Sequence, residues 1–391
     1  MVFLKAFLSC VFLVTLLEAR LPEENLSVPE LIRYWGYPAE SHDVVTDDGY
    51  ILTMHRIPYG RKNNGNAPTK KRQVFHLQHG LLCSSSNWVT NLPDQSLAFM
   101  LADAGYDVWM GNNRGNEYSL KHVKLSNDSD AFWDFSFQEF AKYDLPAMVD
   151  YSLKVTGQKQ LFYAGHSEGT MMIFAGLSEN EALQKKIKIA FNLAPVARIA
   201  HATSPITYMS FLEKEFGDFF DFFGIRSFFT SKKLLRRLGD LACTFSGEVC
   251  ENFLFLIAGA DDRNMNVTRT PVYLTHTPAG TSVKNMLHFC QLVEDGQFQK
   301  YDYGLMNFYH YHSLSPPRYK VDKIKTELVL FSGGNDSLAD PTDVAWLASQ
   351  LKSVAKHVII PEYNHLDFIW GKDANQKVYE KIMKMARNYK N

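Results

Sequence analysis

The chain has 391 residues, 46% of them hydrophobic and 21% charged, and its 41 basic and 42 acidic residues leave a net charge of −1. A chain of this length buries a substantial core, as one large domain with an insertion or as two ordinary domains. Its basic residues are dispersed rather than gathered into blocks, which argues against nucleic acid as the main partner.

The N-terminal stretch MVFLKAFLSCVFLVTLLEA carries one early cation, Lys5, an apolar run from Ala6 to Leu17, and a small residue, Ala19, before the polar RLPEEN. This pattern predicts a secretory signal peptide over residues 1–19, cut after Ala19. The alternative, a membrane anchor, calls for a longer run, and no later segment reaches about 18 uninterrupted apolar residues. The mature chain is therefore expected to be a soluble monomer of the secretory pathway. Cleavage removes Cys10 and leaves Cys83, Cys243, Cys250 and Cys290. An even count in a secreted chain points to disulfides; Cys243 and Cys250 are near enough to close a short loop, whereas Cys83 and Cys290 may be paired or free. No CxxC or paired-histidine spacing accompanies them, so no metal is expected. Glycan sequons stand at Asn25, Asn127 and Asn266. A fourth, at Asn335, adjoins an aspartate needed for chemistry and is expected to be unused.

After a proline-containing lead-in, HDVVTDDGYILTMHRIPYG alternates apolar and polar residues on both sides of Asp48-Gly49, which predicts a hairpin. Beyond the polar loop RKNNGNAPTKKR, strand and helix patterns alternate: QVFHLQ, the helical SLAFMLADAG, YDVWMG, the long helical FSFQEFAKYDLPAMVDYSLKVTG, then LFYAG. Short apolar strands separated by helices predict an α/β fold, with a parallel sheet covered on both faces. Late in the chain ELVLFSGG and HVIIPE continue the theme around the helix DPTDVAWLASQL, with Asp340 as N-cap and Pro341 in its first turn. Between about 196 and 319 the rhythm stops. There MSFLEKEFGDFFDFFGIRSFF places eight phenylalanines between Phe211 and Phe229. In SKKLLRRLGDLA, Leu234, Leu235, Leu238 and Leu241 share one helical face opposite Lys232, Lys233, Arg236 and Arg237. The reading is a largely helical cap over residues 196–319, inserted into an α/β core formed by 20–195 and 320–391.

The chemistry centres on LFYAGHSEGTMM. A serine presented at the top of a parallel sheet sits on a sharp strand-to-helix turn, and the residues two positions away must be tiny or strand and helix collide. Gly165 and Gly169 meet that need around Ser167, giving G-x-S-x-G with a strand before it and helix formers after it. Serine is a poor nucleophile without a base, so an orienting carboxylate and a histidine should follow. Asp336 ends one strand, and His365 lies just past the next, 29 positions on. That span fits one strand-helix-strand unit and brings both to the carboxyl edge where Ser167 stands. The rival carboxylates are Asp340, which suits the helix cap, and Asp367, too close along the chain to His365. Acyl transfer also needs donors aimed at the oxyanion. The backbone N–H of Glu168 at the helix start is one, and the N–H of Leu81 in the loop HLQHGLLCSS is the other, with Gly80 permitting close approach. A phenylalanine-rich cap suits a long acyl chain and a lipid interface, although those rings also serve as the core of a helical subdomain. His310 and His312 in YHYHS lack a third ligand at sensible spacing.

The motifs YWGYP, VVTDDGYIL, LQHGLL, LADAGYDVWMGNNRGN, FAKYDLPAMVDY, TGQKQLFYAGHSEGT, PAGTSVKNMLHF, GGNDSLADP and YNHLDFIWG together resemble the acid lipases, the group of gastric lipase and lysosomal acid lipase. The resemblance runs from about residue 30 to the end. It implies an α/β-hydrolase fold with a cap and movable lid, hydrolysing triacylglycerols or cholesteryl esters with activity into the acid range, without a metal or organic cofactor, in a gut lumen, lysosome or extracellular fluid. It further implies Ser167 as nucleophile, Asp336 as acid, His365 as base, Leu81 and Glu168 as oxyanion donors, and a Cys243–Cys250 disulfide. Two departures stand out: the family's GHSQG reads GHSEG here, and Ala258 replaces an expected free cysteine. Rival readings are a carboxylesterase on shorter acyl chains and a non-catalytic lipid-binding protein on a lipase scaffold.

Overall fold

Apolar strands that run in near-continuous hydrophobic blocks can satisfy their backbone only side by side and shed water only when covered on both faces. The computed structural model, which describes residues 21–61, 71–204, 207, 210, 226–228 and 264–389, builds such a sheet. Its principal strands are β1 (Glu40–Val45), β2 (Tyr50–Ile57), β3 (Val74–Gln78), β4 (Asp107–Met110), β5 (Leu161–His166), β6 (Ile187–Leu193), β7 (Glu327–Gly333) and β8 (Val354–Ile360). They lie in the order β1-β2-β4-β3-β5-β6-β7-β8. The first two pairings are antiparallel, β1 with β2 and β2 with β4, and every later one is parallel. β3 and β5 are buried at every position, whereas β1 at the edge alternates with solvent.

The helices used below are α1 (Val28–Tyr34), α2 (Leu97–Asp103), α3 (Leu145–Thr156), α4 (Glu168–Glu179), α5 (Val283–Asp295), α6 (Pro341–Gln350) and α7 (Glu380–Asn388). The hairpin turn forms at Asp48-Gly49, with Gly49 at φ 99° and its N–H bonded to the carbonyl of Thr46. At α6, Asp340 accepts from the N–H of Thr342 and Pro341 occupies the first turn. The long helical segment before β5 is not one regular helix: residues 140–144 form a π-turn in which the Leu145 N–H reaches back to Phe140 O. Pro146 explains it, since it offers no N–H and its ring would crowd the carbonyl four residues earlier; the wider turn relieves both. Beside that turn the buried Arg114 joins Asp144 and Asp48, and its guanidinium lies 3.8 Å from the Tyr50 ring centroid, fixing the hairpin to the helical layer.

The chain between β6 and β7 leaves the sheet. Its described part contains the helix Thr270–His276, α5 and the short helix Asn307–Tyr311. The phenylalanine-rich segment before Arg226, the leucine-faced helix, Cys243, Cys250, Ala258 and the N-terminal stretch 1–20 lie outside the described residues.

Candidate active site

Three glycines interlock where β5 turns into α4. A Cβ on Gly165 would stand 2.9 Å from the backbone of Gly169, a Cβ on Gly169 would stand 2.6 Å from the carbonyl oxygen of Gln78 at the end of β3, and one on Gly80 would meet the Ser167 Cβ at 3.0 Å. Strand, helix and the loop after β3 therefore approach more closely than any side chain permits. Between them Ser167 adopts φ 54° and ψ −119°, a region that non-glycine residues seldom occupy and that persists only where the surroundings impose it. Thr170 helps impose it: its hydroxyl donates to Ser167 O at 2.6 Å and accepts from the N–H of Val196 at 2.7 Å.

The result is a serine hydroxyl 2.7 Å from Nε2 of His365. On the other side of the ring, Nδ1 faces both carboxylate oxygens of Asp336 at 3.0 and 2.9 Å. Asp336 is itself held by the N–H groups of Leu338 and Ala339, at 2.9 and 2.8 Å. The three side chains, from the ends of β5, β7 and β8, are all buried at one rim of the sheet. The two rival carboxylates are engaged elsewhere, Asp340 with Thr342 N–H and Asp367 with the N–H of Asn364. This arrangement can strip the hydroxyl proton and hold the resulting imidazolium.

The N–H of Glu168 opens α4, and that of Leu81 follows Gly80. Among the described residues, neither has a hydrogen-bond acceptor in the protein, as donors reserved for an incoming oxygen would require. The Glu168 side chain is buried, accepts a 2.6 Å hydrogen bond from Asn285 Nδ2, and has its carboxyl pushed up to about 7 by burial, which that bond only partly offsets.

Ser167 and His365 open onto a cavity with a mostly apolar wall that includes Ile199, Met286, Phe289, Val293, Leu338 and Trp370. Three of these come from one face of α5. Cys83 and Cys290 also line it, both buried and neither in a disulfide. Burial pushes the Cys83 thiol up to about 12.

Sequence reasoning passed over two residues. His166 donates from Nε2 to the carbonyl oxygen of His365 at 2.9 Å, tying the residue before the serine to the loop that carries His365, and burial holds its ring neutral. Asn285 reaches Glu168 across 117 positions, a pairing no local pattern announces. His310 and His312 are exposed, and among the described residues no group of three or more His, Cys, Asp or Glu is placed to hold a metal. Asn25 and Asn127 are exposed and Asn266 is half-buried. Asn335 is exposed too, so burial is not what would keep its sequon unused. No helix among the described residues is long and apolar enough to cross a membrane.

Comparison with known proteins gives the chain's family. The model of a partial alpha/beta-hydrolase lipase region matches residues 28–92, and that of the alpha/beta hydrolase fold matches residues 73–372. The chain is 48% identical to human gastric triacylglycerol lipase over 368 residues, covering 93% of this chain and 92% of that one. It is likewise 48% identical to human lysosomal acid lipase/cholesteryl ester hydrolase over 372 residues, covering 94% and 92%. Among solved structures, a thermophilic esterase from Thermogutta terrifontis superposes with a TM-score of 0.51 at 13% identity, covering 89% of this chain and 98% of that one, a likeness of fold alone. The chain thus belongs to the α/β-hydrolase fold family and, within it, to the family of the gastric and lysosomal acid lipases.

Proposed function

We propose that this protein is a serine lipase of the secretory pathway that hydrolyses the carboxylic ester bonds of neutral lipids, triacylglycerols or cholesteryl esters, at acidic pH. The observation that carries the reading is the 2.7 Å contact between Ser167 Oγ and His365 Nε2, with Asp336 behind the ring. His365 takes the serine proton as Oγ attacks the ester carbonyl carbon, and the oxyanion is held by the Leu81 and Glu168 amides. His365 then returns the proton to the departing alcohol, leaving an acyl-enzyme on Ser167. Water, deprotonated by the same imidazole, attacks the acyl carbon, and the imidazolium returns the proton to Ser167 Oγ as the fatty acid leaves. Asp336 keeps the ring in the tautomer this cycle needs and stabilises its cationic form.

The apolar wall of the cavity supports a long acyl chain over a small soluble one. The named activities of the two human relatives support the substrate class. The α/β core is assigned to residues 20–195 and 320–391 and the cap to 196–319, with glycans at Asn25, Asn127 and Asn266 and a disulfide between Cys243 and Cys250. The test is hydrolysis of dispersed triolein, cholesteryl oleate and a soluble short-chain ester across pH 4 to 8 by the protein and by Ser167→Ala. Loss of all three activities in the variant, with turnover of at least one dispersed lipid by the parent, is expected. A parent active only on the short ester would make it a carboxylesterase. An active Ser167→Ala, or a Ser167 that an organophosphonate leaves unlabelled, would overturn the mechanism.

A further inference from the structure

The acidic side chain beside the nucleophile has no role in the cycle above. Glu168 supplies a backbone N–H to the candidate oxyanion site, yet its own carboxyl is buried in the same place and forms no ion pair among the described residues. Among the described residues, its single hydrogen-bond partner is Asn285 on α5, the helix whose Met286 and Phe289 line the acyl cavity. The orientation of that amide is fixed from elsewhere. Asn285 Oδ1 accepts from the N–H of Phe137 at 2.7 Å, so Nδ2 must point at Thr281 Oγ1 and Glu168 Oε1. Asn285 therefore always donates to Oε1, and a proton on the carboxyl belongs on the other oxygen.

We propose that Glu168 is a proton switch on the reaction: the site turns over ester with Glu168 protonated, held by Asn285 as a neutral acceptor, and loses turnover when Glu168 ionises.

The charges at the site give the reason. In the transition state the oxyanion and Asp336 already face a single imidazolium, that of His365. An ionised Glu168 adds a third negative charge in a buried setting where water cannot screen it, and places it on the residue whose N–H should attract the oxyanion. A protonated carboxyl instead shares the planar shape and the neutral charge of a glutamine amide, with a carbonyl oxygen that can accept from Asn285. The other groups packed around Glu168 do not compensate for its ionisation. Cys83, in the loop after β3, is a neutral thiol that feels the Glu168 charge unfavourably. His79 in the same loop is kept neutral by burial, as is His166 at the end of β5. Tyr163 spends its hydroxyl on the carbonyl of Gly169. The nearest cation along α5, Lys284, is taken by Asp134 at 2.6 Å and by the Tyr303 hydroxyl at 3.0 Å. With burial holding the Glu168 carboxyl at about 7, the switch lies in the range between an acidic compartment and neutral fluid.

The inference rests on the hydrolase reading, and the experiment separates the two. kcat/KM on a soluble short-chain ester is measured from pH 5 to pH 8 for the parent, Glu168→Gln and Asn285→Ser, with Ser167→Ala as blank. The readout is the ratio of Glu168→Gln to parent at each pH. For a group titrating at about 7, the ratio of Glu168→Gln to parent should rise about tenfold across this range. A flat ratio, with the blank inactive, overturns the switch and leaves the hydrolase standing. An active blank overturns the hydrolase reading itself. Asn285→Ser provides an independent arm should the Gln variant not fold. Losing the donor that favours the ionised carboxyl should move the alkaline limb of the parent profile to higher pH, and a limb that stays in place overturns the proposal.

Discussion

Replacing Gly169 by alanine tests whether backbone contact, rather than the triad residues alone, sets the geometry of the site. The added Cβ would lie 2.6 Å from the Gln78 carbonyl oxygen and 3.0 Å from that of His79, against an ordinary contact limit of 3.4 Å. Neither obstacle is a side chain that can swing away. Gln78 is held in β3 by its pairing with Gly165 in β5, so the first turn of α4 must retreat by about 0.8 Å, the difference between 3.4 and 2.6 Å. That turn carries Ser167 and the N–H of Glu168, while Leu81 stays with the loop after β3. The Leu81 and Glu168 amides therefore separate and the hydroxyl shifts relative to His365. A displacement near 1 Å costs about 100-fold in rate, and overpacking of this kind costs about 1–3 kcal/mol in stability. The assay is kcat/KM on a soluble ester together with Tm. Gly304→Ala is the control, since its Cβ would meet nothing within 4 Å although φ is 58°. It should lose about 1–2 kcal/mol for the left-handed backbone and leave the kinetics unchanged. If Gly169→Ala kept both its Tm and its activity within threefold, the claim that this contact positions the serine would fail.

Asp336→Asn should fold as the parent does, because Leu338 and Ala339 can still donate to the remaining oxygen, and should lower kcat by about 10⁴-fold as for triads of this type; circular dichroism with single-substrate kinetics decides it. The raised carboxyl of Glu168 also has a consequence for stability, apart from catalysis. Its folded value of about 7 exceeds the ordinary 4.5, so the native state holds the proton more tightly than the unfolded chain does. The stabilisation is complete below pH 4.5 and is lost as pH rises through 7, amounting to about 3 kcal/mol. Urea unfolding at pH 4.5 and pH 8 should show Glu168→Gln gaining that much on the parent, and parallel behaviour of the two proteins would refute it. Cys83, buried with its thiol held near 12, should resist iodoacetamide in the native protein at pH 8 and react on unfolding. Peptide mass mapping reads the outcome, and fast native labelling would contradict the burial.

What the sequence disclosed and what it hid divide along a physical line. Ser167, Asp336 and His365 were legible because each is set by its own neighbourhood: a strand end, a glycine or a turn, and a spacing that one strand-helix-strand unit imposes. The Asp48-Gly49 hairpin was legible for the same reason, since a φ of 99° there demands glycine. The π-turn at residues 140–144 was hidden behind a good helical pattern, and only the position of Pro146 hinted at it. Pairings across the fold left no local trace. Arg114 with Asp48 and Asp144, His166 with the carbonyl of His365, and Asn285 with Glu168 join residues that no periodicity relates. Cysteine parity left the state of Cys83 and Cys290 open, since nothing local shows that both stand in the cavity wall outside any disulfide.

The three glycines show how a local reading can be right and still incomplete. Taken singly, Gly80 is a turn glycine and Gly165 and Gly169 flank a serine. In space they form one junction, in which β3 and its loop, the end of β5 and the start of α4 meet backbone to backbone. The strain at Ser167 is sustained by that junction and by the hydrogen bonds of Thr170. Because the same junction aligns the Leu81 and Glu168 amides, Ser167 and these two N–H groups cannot be displaced separately. The side chain at 168 is a group at that junction that can change charge without moving the backbone. A site built so rigidly has little room to adjust its rate through geometry, which is why the proposed switch is placed on a charge rather than on a movement.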